Sequence, residues 1–304
     1  LQGMNPYTTY YSSKSPMILP IPGSAPWVVN GDGSGGRESV SLATTISDNV
    51  VYAQLSIDVG PSNIARVSHK MGITSDLREV PSIALGSSEV TPMEMATAYA
   101  TLASGGIYHK PQAIVKVVLP NGDVDWKPKT KGSRVIPAGV ASVVTDVLTG
   151  PPGPGGTASS VGAYFPYARA GKTGTSEDNA DAWYCGYTPQ LAAAVWMGDM
   201  DERTSMGSST FGGTYCAPVW AKFFAYATKD GPHPSFKSVP WSFTPWDGAY
   251  SKISPSASAS PSESASPSPT ATKTITPNPT KTPTPKPTAT KTPTPTPTPT
   301  ATQT

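Results

Sequence analysis

Along most of the first 230 residues, apolar side chains recur every three to five positions, a spacing typical of amphipathic helices. It predicts five helices, at residues 42–55, 61–71, 91–103, 140–148 and 217–226. The first is interrupted near residues 47–49, where serine, aspartate and asparagine replace the apolar residues. The third begins with a capping box: Thr91 is the N-cap, Pro92 takes the first helical position and Glu94 follows three residues after the cap.

Other stretches show short apolar runs between turn residues, which is typical of strands. Residues 181–187 and 191–198 predict two antiparallel strands, and residues 172–175 just before them fit an edge strand. Further short strands are predicted within residues 107–136. Helices and strands together predict an α+β domain, in which an antiparallel β-sheet is flanked by helices.

Composition divides the chain into three parts. We predict one domain over residues 1–232, a linker over 233–250 and a tail over 251–304. Within the domain, glycine and proline at 150–156 indicate another linker. The tail is almost wholly Ser, Thr, Pro, Ala and Lys, so it has too little apolar surface to offset the entropy of ordering. It is therefore predicted to be disordered, and its composition is typical of stalks outside the cell or in the wall layer.

The formal net charge of +2 comes from the tail, which holds five lysines and one acidic residue. The rest of the chain has a small acidic excess, so its charge does not indicate nucleic-acid binding. Cys185 and Cys216 are too few for a disulfide framework and lack the spacing of a metal site. They form either one disulfide or two buried thiols, and the frequent burial of free cysteine favours thiols. We predict no metal and no cofactor.

Two polar motifs are candidate catalytic elements, Ser47-Asp48-Asn49 and Lys172-Thr173-Gly174-Thr175. An ammonium, two hydroxyls and a glycine on one edge strand can hold the terminal carboxylate of an acyl substrate and polarise its carbonyl. The first motif alone is equally well explained as a helix cap. The second overlaps the end of a phosphate-binding loop, but that loop needs glycine where this chain has Pro166, which disfavours nucleotide binding.

With their flanking residues, these motifs resemble the transpeptidase domain of class A (high-molecular-weight) penicillin-binding proteins, bacterial enzymes that cross-link peptidoglycan. The likeness runs from about residue 5 to about residue 230. Besides the two motifs, the matching stretches are residues 50–55, 81–92, 105–106, 181–189 and 195–198. The resemblance implies the penicillin-binding and serine β-lactamase-like fold. It also implies peptidoglycan stem peptides and β-lactams as ligands, at the extracytoplasmic face of the membrane or in the cell wall.

The resemblance further implies six site residues, which are Ser47, Asn49 and Lys172 for catalysis and Thr173, Gly174 and Thr175 for substrate binding. Lys172 attracts the substrate carboxylate and, through Ser47, helps to move a proton to the leaving amine. Asn49 binds the substrate amide. Thr173 and Thr175 bind the terminal carboxylate, Gly174 allows close approach, and the backbone N–H of Thr175 is half of an oxyanion hole.

One element of the family pattern is missing. The family's nucleophile is the serine of a Ser-x-x-Lys pair that precedes the Ser-x-Asn motif, and no Ser-x-x-Lys occurs in this chain. We therefore expect an N-terminally truncated, partial domain that does not form the acyl-enzyme by itself. The parent protein is expected to carry the nucleophile and a membrane anchor upstream, and a glycosyltransferase domain, frequent in the family, would also lie outside this chain.

Other functions fit some of the same motifs. Serine β-lactamases and D,D-carboxypeptidases share the Ser-x-Asn and Lys-Thr-Gly elements, but the matches over 81–92 and 195–198 favour a transpeptidase. Outside enzymes, the alternative is a wall-binding module that has lost its nucleophile. A Ser-x-x-Lys shortly upstream of Leu1 would support the enzyme, and its absence there would support the binding module.

Overall fold

The computed structural model describes residues 2–251 except for 32, 129 and 130, so the predicted tail lies outside it apart from Ser251. The helices are α1 (Val40–Ile46), α2 (Asn49–Val59), α3 (Pro61–Lys70), α4 (Pro92–Ala103), α5 (Ala138–Leu148), α6 (Val161–Tyr164) and α7 (Cys216–Ala227). The strands are β1 (Tyr10–Ser12), β2 (Met17–Leu19), β3 (Trp27–Val29), β4 (Arg37–Ser39), β5 (Ile107–Tyr108), β6 (Val117–Val118), β7 (Val124–Trp126), β8 (Ser133–Arg134), β9 (Ala170–Thr175), β10 (Asp181–Tyr187) and β11 (Ala192–Gly198). No helix among these is long and apolar enough to cross a membrane.

The largest sheet of the described residues has three antiparallel strands in the order β11-β10-β9. β10 pairs with β11 along its whole length, from Asp181 opposite Gly198 to Tyr187 opposite Ala192. Its other side pairs with β9, where Lys172 lies opposite Cys185. The lysine motif therefore lies on an edge strand, as predicted, and its position is set by the register of β9 against β10.

Helices pack on both faces of this sheet. On one face, Trp220 and Phe224 of α7 stack at 3.7 Å between ring centroids, and Trp220 also meets Tyr184 of β10 at 5.4 Å. On the other face, Leu102 of α4 and Tyr187 of β10 belong to one buried cluster. Successive side chains of a strand point to opposite faces, so Tyr184 and Tyr187 lie on different faces of β10. Both are buried, and both faces of this strand are therefore covered.

The capping box at α4 is confirmed in full. The Thr91 side chain accepts from the N–H of Glu94, and the Glu94 carboxylate accepts from the N–H of Thr91 at 2.8 Å. The same carboxylate also accepts from the backbone of Thr74 and Ser75, both at 2.7 Å. Burial alone would raise the pKa of Glu94, but these hydrogen bonds outweigh it and hold the pKa far below its usual range.

The glycine- and proline-rich stretch at 150–156, predicted as a linker, is a tightly packed turn. Pro151 and Pro152 are buried. The carbonyl of Pro151 accepts from Ala158 N–H at 2.8 Å, and that of Pro152 accepts from the Arg169 guanidinium at 3.0 Å. The arginine thereby joins this turn to the start of β9.

Residues 232–251, which we call the C-terminal strap, have no helix or strand but lie against the domain. Phe236 meets Tyr187 edge to face at 5.6 Å between centroids. Trp246 donates its indole N–H to the hydroxyl of Tyr11 at 2.8 Å. The segment predicted as a linker over 233–250 thus carries aromatic side chains that contact the domain.

The two cysteines are free and buried, as the thiol interpretation predicted. Cys216 donates its S–H to the carbonyl of Ala182 at 3.1 Å. Burial raises the pKa of Cys185 to about 12 and that of Cys216 to about 11. Neither thiol is therefore activated as a nucleophile.

Candidate active site

The helical turn at residues 47–49 joins α1 to α2 and presents the Ser47 hydroxyl. Ser47 ends α1 in the left-handed conformation, with φ 64° and ψ 44°. This conformation costs an L-residue about 1–2 kcal/mol, and non-glycine residues held in it concentrate at functional sites. The conformation of Ser47 therefore marks this turn as a candidate site independently of its sequence motif.

The buried side chain of Asp48 holds the turn at residues 47–49 in place through hydrogen bonds. Its buried carboxylate caps α2 by accepting from the N–H groups of Val50 at 2.7 Å and Val51 at 3.2 Å. The hydroxyl of Ser13 donates to the other carboxylate oxygen at 2.5 Å. The middle residue of the Ser-Asp-Asn motif is thus structural, and it leaves Ser47 and Asn49 on either side of it.

Asn49 is the first residue of α2 and is exposed. Its side-chain amide makes no hydrogen bond to any residue that the structure describes. An amide offers both donors and acceptors, so Asn49 is available to a ligand beside Ser47.

The lysine strand, β9, meets the helical turn through one hydrogen bond. Lys172 Nζ donates to Ser47 Oγ at 2.6 Å, across 125 residues of chain. It also donates to the Thr173 carbonyl at 3.1 Å and lies 3.5 Å from Thr173 Oγ1. The structure therefore brings together the two motifs that the sequence singled out.

No carboxylate of the described residues forms an ion pair with the Lys172 ammonium. The only ion pair within 4.0 Å among the described residues joins Lys229 and Asp230. Burial lowers the pKa of Lys172 to about 8. At neutral pH the group is still mostly protonated, so an uncompensated positive charge faces any ligand that binds here.

Each threonine of the lysine strand has a polar neighbour. Thr173 Oγ1 lies 2.8 Å from Thr157 Oγ1. Thr175 Oγ1 accepts from the backbone N–H of Gly212 at 3.2 Å. Neither Thr157 nor Gly212 was predicted as a site residue, although Thr157 directly follows the glycine-rich stretch at 150–156 and Gly212 lies in the Phe-Gly-Gly-Thr stretch at 211–214.

Close backbone approach occurs at Gly212 rather than at Gly174. A Cβ on Gly212 would lie 2.0 Å from the carbonyl oxygen of Trp183 and 2.6 Å from that of Gly174. A Cβ on Gly174 would come no nearer than 3.2 Å, to Trp183 Cβ. Only a residue without a side chain lets the 211–214 loop lie against β9 and β10.

This arrangement can bind and orient an anionic acyl compound. The ammonium and the two threonine hydroxyls supply positive charge and hydrogen-bond donors for a carboxylate. The Lys172–Ser47 pair forms a path for a proton, because a hydroxyl can accept and donate at once.

Residues 21–225 match the family model of the penicillin binding protein transpeptidase domain. The chain is 33% identical over 230 residues to penicillin-binding protein 1A of Mycobacterium tuberculosis, covering 67% of this chain and 27% of that protein. It is 31% identical over 250 residues to penicillin-binding protein 1A of Neisseria cinerea, covering 78% of this chain and 30% of that protein. The chain thus spans about a third of the length of the curated relatives it matches.

The fold is similar to that of PonA1 from Mycobacterium tuberculosis, solved in complex with penicillin V. The TM-score is 0.67 at 29% identity, and the alignment covers 78% of this chain and 67% of that one. The fold class implied by the resemblance is thereby confirmed. With a family model matched over most of its domain, the chain belongs to the penicillin-binding protein transpeptidase family.

Proposed function

We propose that the protein containing this chain is a peptidoglycan D,D-transpeptidase that is acylated by β-lactams. The observation that carries the proposal is the 2.6 Å hydrogen bond from Lys172 to Ser47, which joins the Ser-x-Asn and Lys-Thr-Gly motifs. The match to the transpeptidase family model over residues 21–225 supports the same reaction class.

In the proposed reaction, a serine oxygen attacks the carbonyl of a D-Ala-D-Ala stem peptide, and the peptide C–N bond breaks. The serine proton passes to the leaving D-alanine nitrogen. An amine of a neighbouring peptidoglycan chain then attacks the serine ester, the ester C–O bond breaks, and the amine's proton goes to the serine oxygen, which leaves the cross-link as an amide. Lys172 and Ser47 form the proton path to the leaving nitrogen. Asn49, whose amide has no partner among the described residues, binds the substrate amide.

The substrate carboxylate binds at the lysine strand. The charge of Lys172 attracts it, and the hydroxyls of Thr173 and Thr175 donate to it. Gly174 between them leaves room along the strand, and the N–H of Thr175 serves as half of the oxyanion hole, which stabilises the negative oxygen of the tetrahedral intermediate.

The serine nucleophile is the part that this sequence does not supply, since it contains no Ser-x-x-Lys. We therefore propose that this chain alone does not form an acyl-enzyme, and that the complete gene product does. The proposed location is the extracytoplasmic face of the bacterial membrane or the cell wall, where peptidoglycan stem peptides are found. A membrane anchor and a glycosyltransferase domain outside this chain remain part of the proposal.

Labelling with a fluorescent penicillin tests the proposal. We expect no covalent label on this chain and a stable label on the complete gene product. Lys172→Ala in the complete product should reduce the labelling rate more than 100-fold, because the ammonium contacts both the proton path and the carboxylate. Lys110→Ala, which removes an exposed lysine, is the matched control and should label normally.

If the complete product takes no label but binds isolated peptidoglycan, the enzyme proposal falls, and the protein is a wall-binding module. A labelled product that releases D-alanine without cross-linking, or that hydrolyses penicillin rapidly, would instead be a carboxypeptidase or a β-lactamase.

A further inference from the structure

Thr157 lies where three parts of the site meet. Its hydroxyl is 2.8 Å from that of Thr173 on the lysine strand. Its backbone N–H donates at 3.3 Å to the carbonyl of Thr45 in α1, the helix that ends at Ser47. On its other side, Gly213 is so close that a Cβ there would lie 2.0 Å from the Thr157 carbonyl oxygen. The position of Thr157 is therefore defined by backbone contacts on two sides.

The hydroxyl of Thr173 has one proton to donate, and its oxygen has two polar neighbours, Lys172 Nζ and Thr157 Oγ1. A hydroxyl can donate once and accept twice. Lys172 Nζ, 3.5 Å away, can only donate. If Thr157 donates to Thr173 Oγ1 as well, the proton of Thr173 points away from both and is free for a ligand. If Thr157 accepts instead, that proton is used within the protein.

Thr175 shows the first of these arrangements without ambiguity. Its hydroxyl oxygen accepts at 3.2 Å from the N–H of Gly212, a group that can only donate, so its own proton stays free. If the hydroxyl oxygens of Thr173 and Thr175 each accept from a donor of the protein, both hydroxyl protons are free to bind the carboxylate of the substrate.

We propose that Thr157 is a positioning residue of the carboxylate subsite. Its hydroxyl donates to Thr173 Oγ1 and thereby turns the Thr173 proton toward the substrate carboxylate. The inference rests on the proposed transpeptidase function, and it assigns Thr157 to recognition of the carboxylate rather than to acyl transfer itself.

The test compares acylation of the complete gene product by a penicillin and by the methyl ester of the same penicillin, which has no carboxylate. Thr157→Val removes the hydroxyl and keeps the shape. It should slow acylation by the free acid about tenfold, the loss expected when one hydrogen bond to a charged group is weakened, and leave acylation by the ester unchanged. Thr157→Ser, which restores a hydroxyl, should return the rate with the free acid to within about twofold of the wild type.

A double-mutant cycle of Thr157→Val with Thr173→Val shows whether Thr157 acts through the Thr173 hydroxyl or contacts the substrate directly. The double variant should be no slower with the free acid than Thr173→Val alone, because Thr157 has no Thr173 hydroxyl to orient. Additive losses, equal slowing of acid and ester, or no effect of Thr157→Val would each overturn the inference. If Thr157→Val does not fold, Thr157→Ala compared with Thr157→Ser decides by the same criterion. A wild-type product that neither compound acylates would instead overturn the proposed function, and the inference with it.

Discussion

The two sides of the candidate site are held in different ways. The helical turn is built mainly from neighbours in sequence, since Asp48 caps the helix that begins at the next residue and takes only one bond from a distant residue, Ser13. The lysine strand pairs with β10, its neighbour in sequence, but it also depends on two loops: Thr157 contacts it from 16 residues before Thr173, and Gly212 from 37 residues after Thr175.

The turn that carries Ser47 is therefore encoded mainly by nearby residues, whereas the environment of Lys172 depends on loops that pack against β9. A local element tolerates changes elsewhere but fails when its own residues change. The lysine strand should respond to substitutions more than thirty residues away from it. The following predictions test this contrast.

The largest effect is expected at Asp48. Asp48→Ala removes a buried carboxylate that accepts three hydrogen bonds, and it should lower the free energy of unfolding of this chain by about 3 kcal/mol. Urea denaturation measures it. Ser39→Ala removes a single cap hydrogen bond, to Leu42, and should cost only about 1 kcal/mol. Equal losses in the two variants would contradict a special role for Asp48 in the turn.

Gly212→Ala probes the lysine strand from a distance. The new Cβ would overlap the carbonyl oxygens of Trp183 and Gly174, so the loop must move, at a cost of about 2 kcal/mol in urea denaturation. In the complete gene product, the same change should slow penicillin labelling, because Thr175 loses its donor. Gly231→Ala, whose Cβ would meet nothing nearer than 3.8 Å, is the control. A fully stable Gly212→Ala would show that the loop does not press on the strand.

Two substitutions at Ser47 distinguish the backbone strain of this residue from the chemical role of its hydroxyl. Both Ser47→Gly and Ser47→Ala remove the hydroxyl, but only glycine adopts a φ of 64° without strain. Ser47→Gly should therefore be about 1 kcal/mol more stable than Ser47→Ala. Labelling of the complete gene product should be slowed in both. If the two variants were equally stable, the left-handed turn would not be held under strain.

The smallest expected effect is the pH dependence that comes from the lowered pKa of Lys172. With lysine labelled at 13Cε, NMR of this chain should show one lysine titrating at about pH 8, which is absent from Lys172→Arg. Because burial lowers the pKa of the folded state, the unfolded chain holds more protons above pH 8. The free energy of unfolding should accordingly rise with pH between about 8 and 10.5, and this rise should be absent in Lys172→Met. A midpoint near 10.5 would mean that the ammonium stays in water.

Much of this architecture could be predicted from the sequence because its signals are local. The capping box at Thr91, the break at Ser47 and the pairing of β10 with β11 all depend on residues close together in sequence. The two candidate catalytic motifs are also visible in the sequence, and the structure brings Lys172 to Ser47. Their roles in catalysis remain predictions.

What was missed depends on contacts between distant residues. Nothing in the 150–156 composition shows that its prolines are buried, because Arg169 holds that turn from outside it. Thr157 and Gly212 belong to loops whose position follows from packing against β9 and β10. The contacts of the strap could not be predicted, because its aromatic residues are spaced irregularly, two to five positions apart, and follow neither a helical nor a strand period.

The strap also has a mechanical consequence. Thr244 N–H donates to the carbonyl of Gly3 at 3.0 Å, so the beginning and the end of the described domain are fastened side by side. A pulling force applied at both ends would load this contact and the Trp246–Tyr11 bond before it reached the central sheet. Under such a force, we expect these contacts to break first, while Ser47 and Lys172 keep their 2.6 Å hydrogen bond.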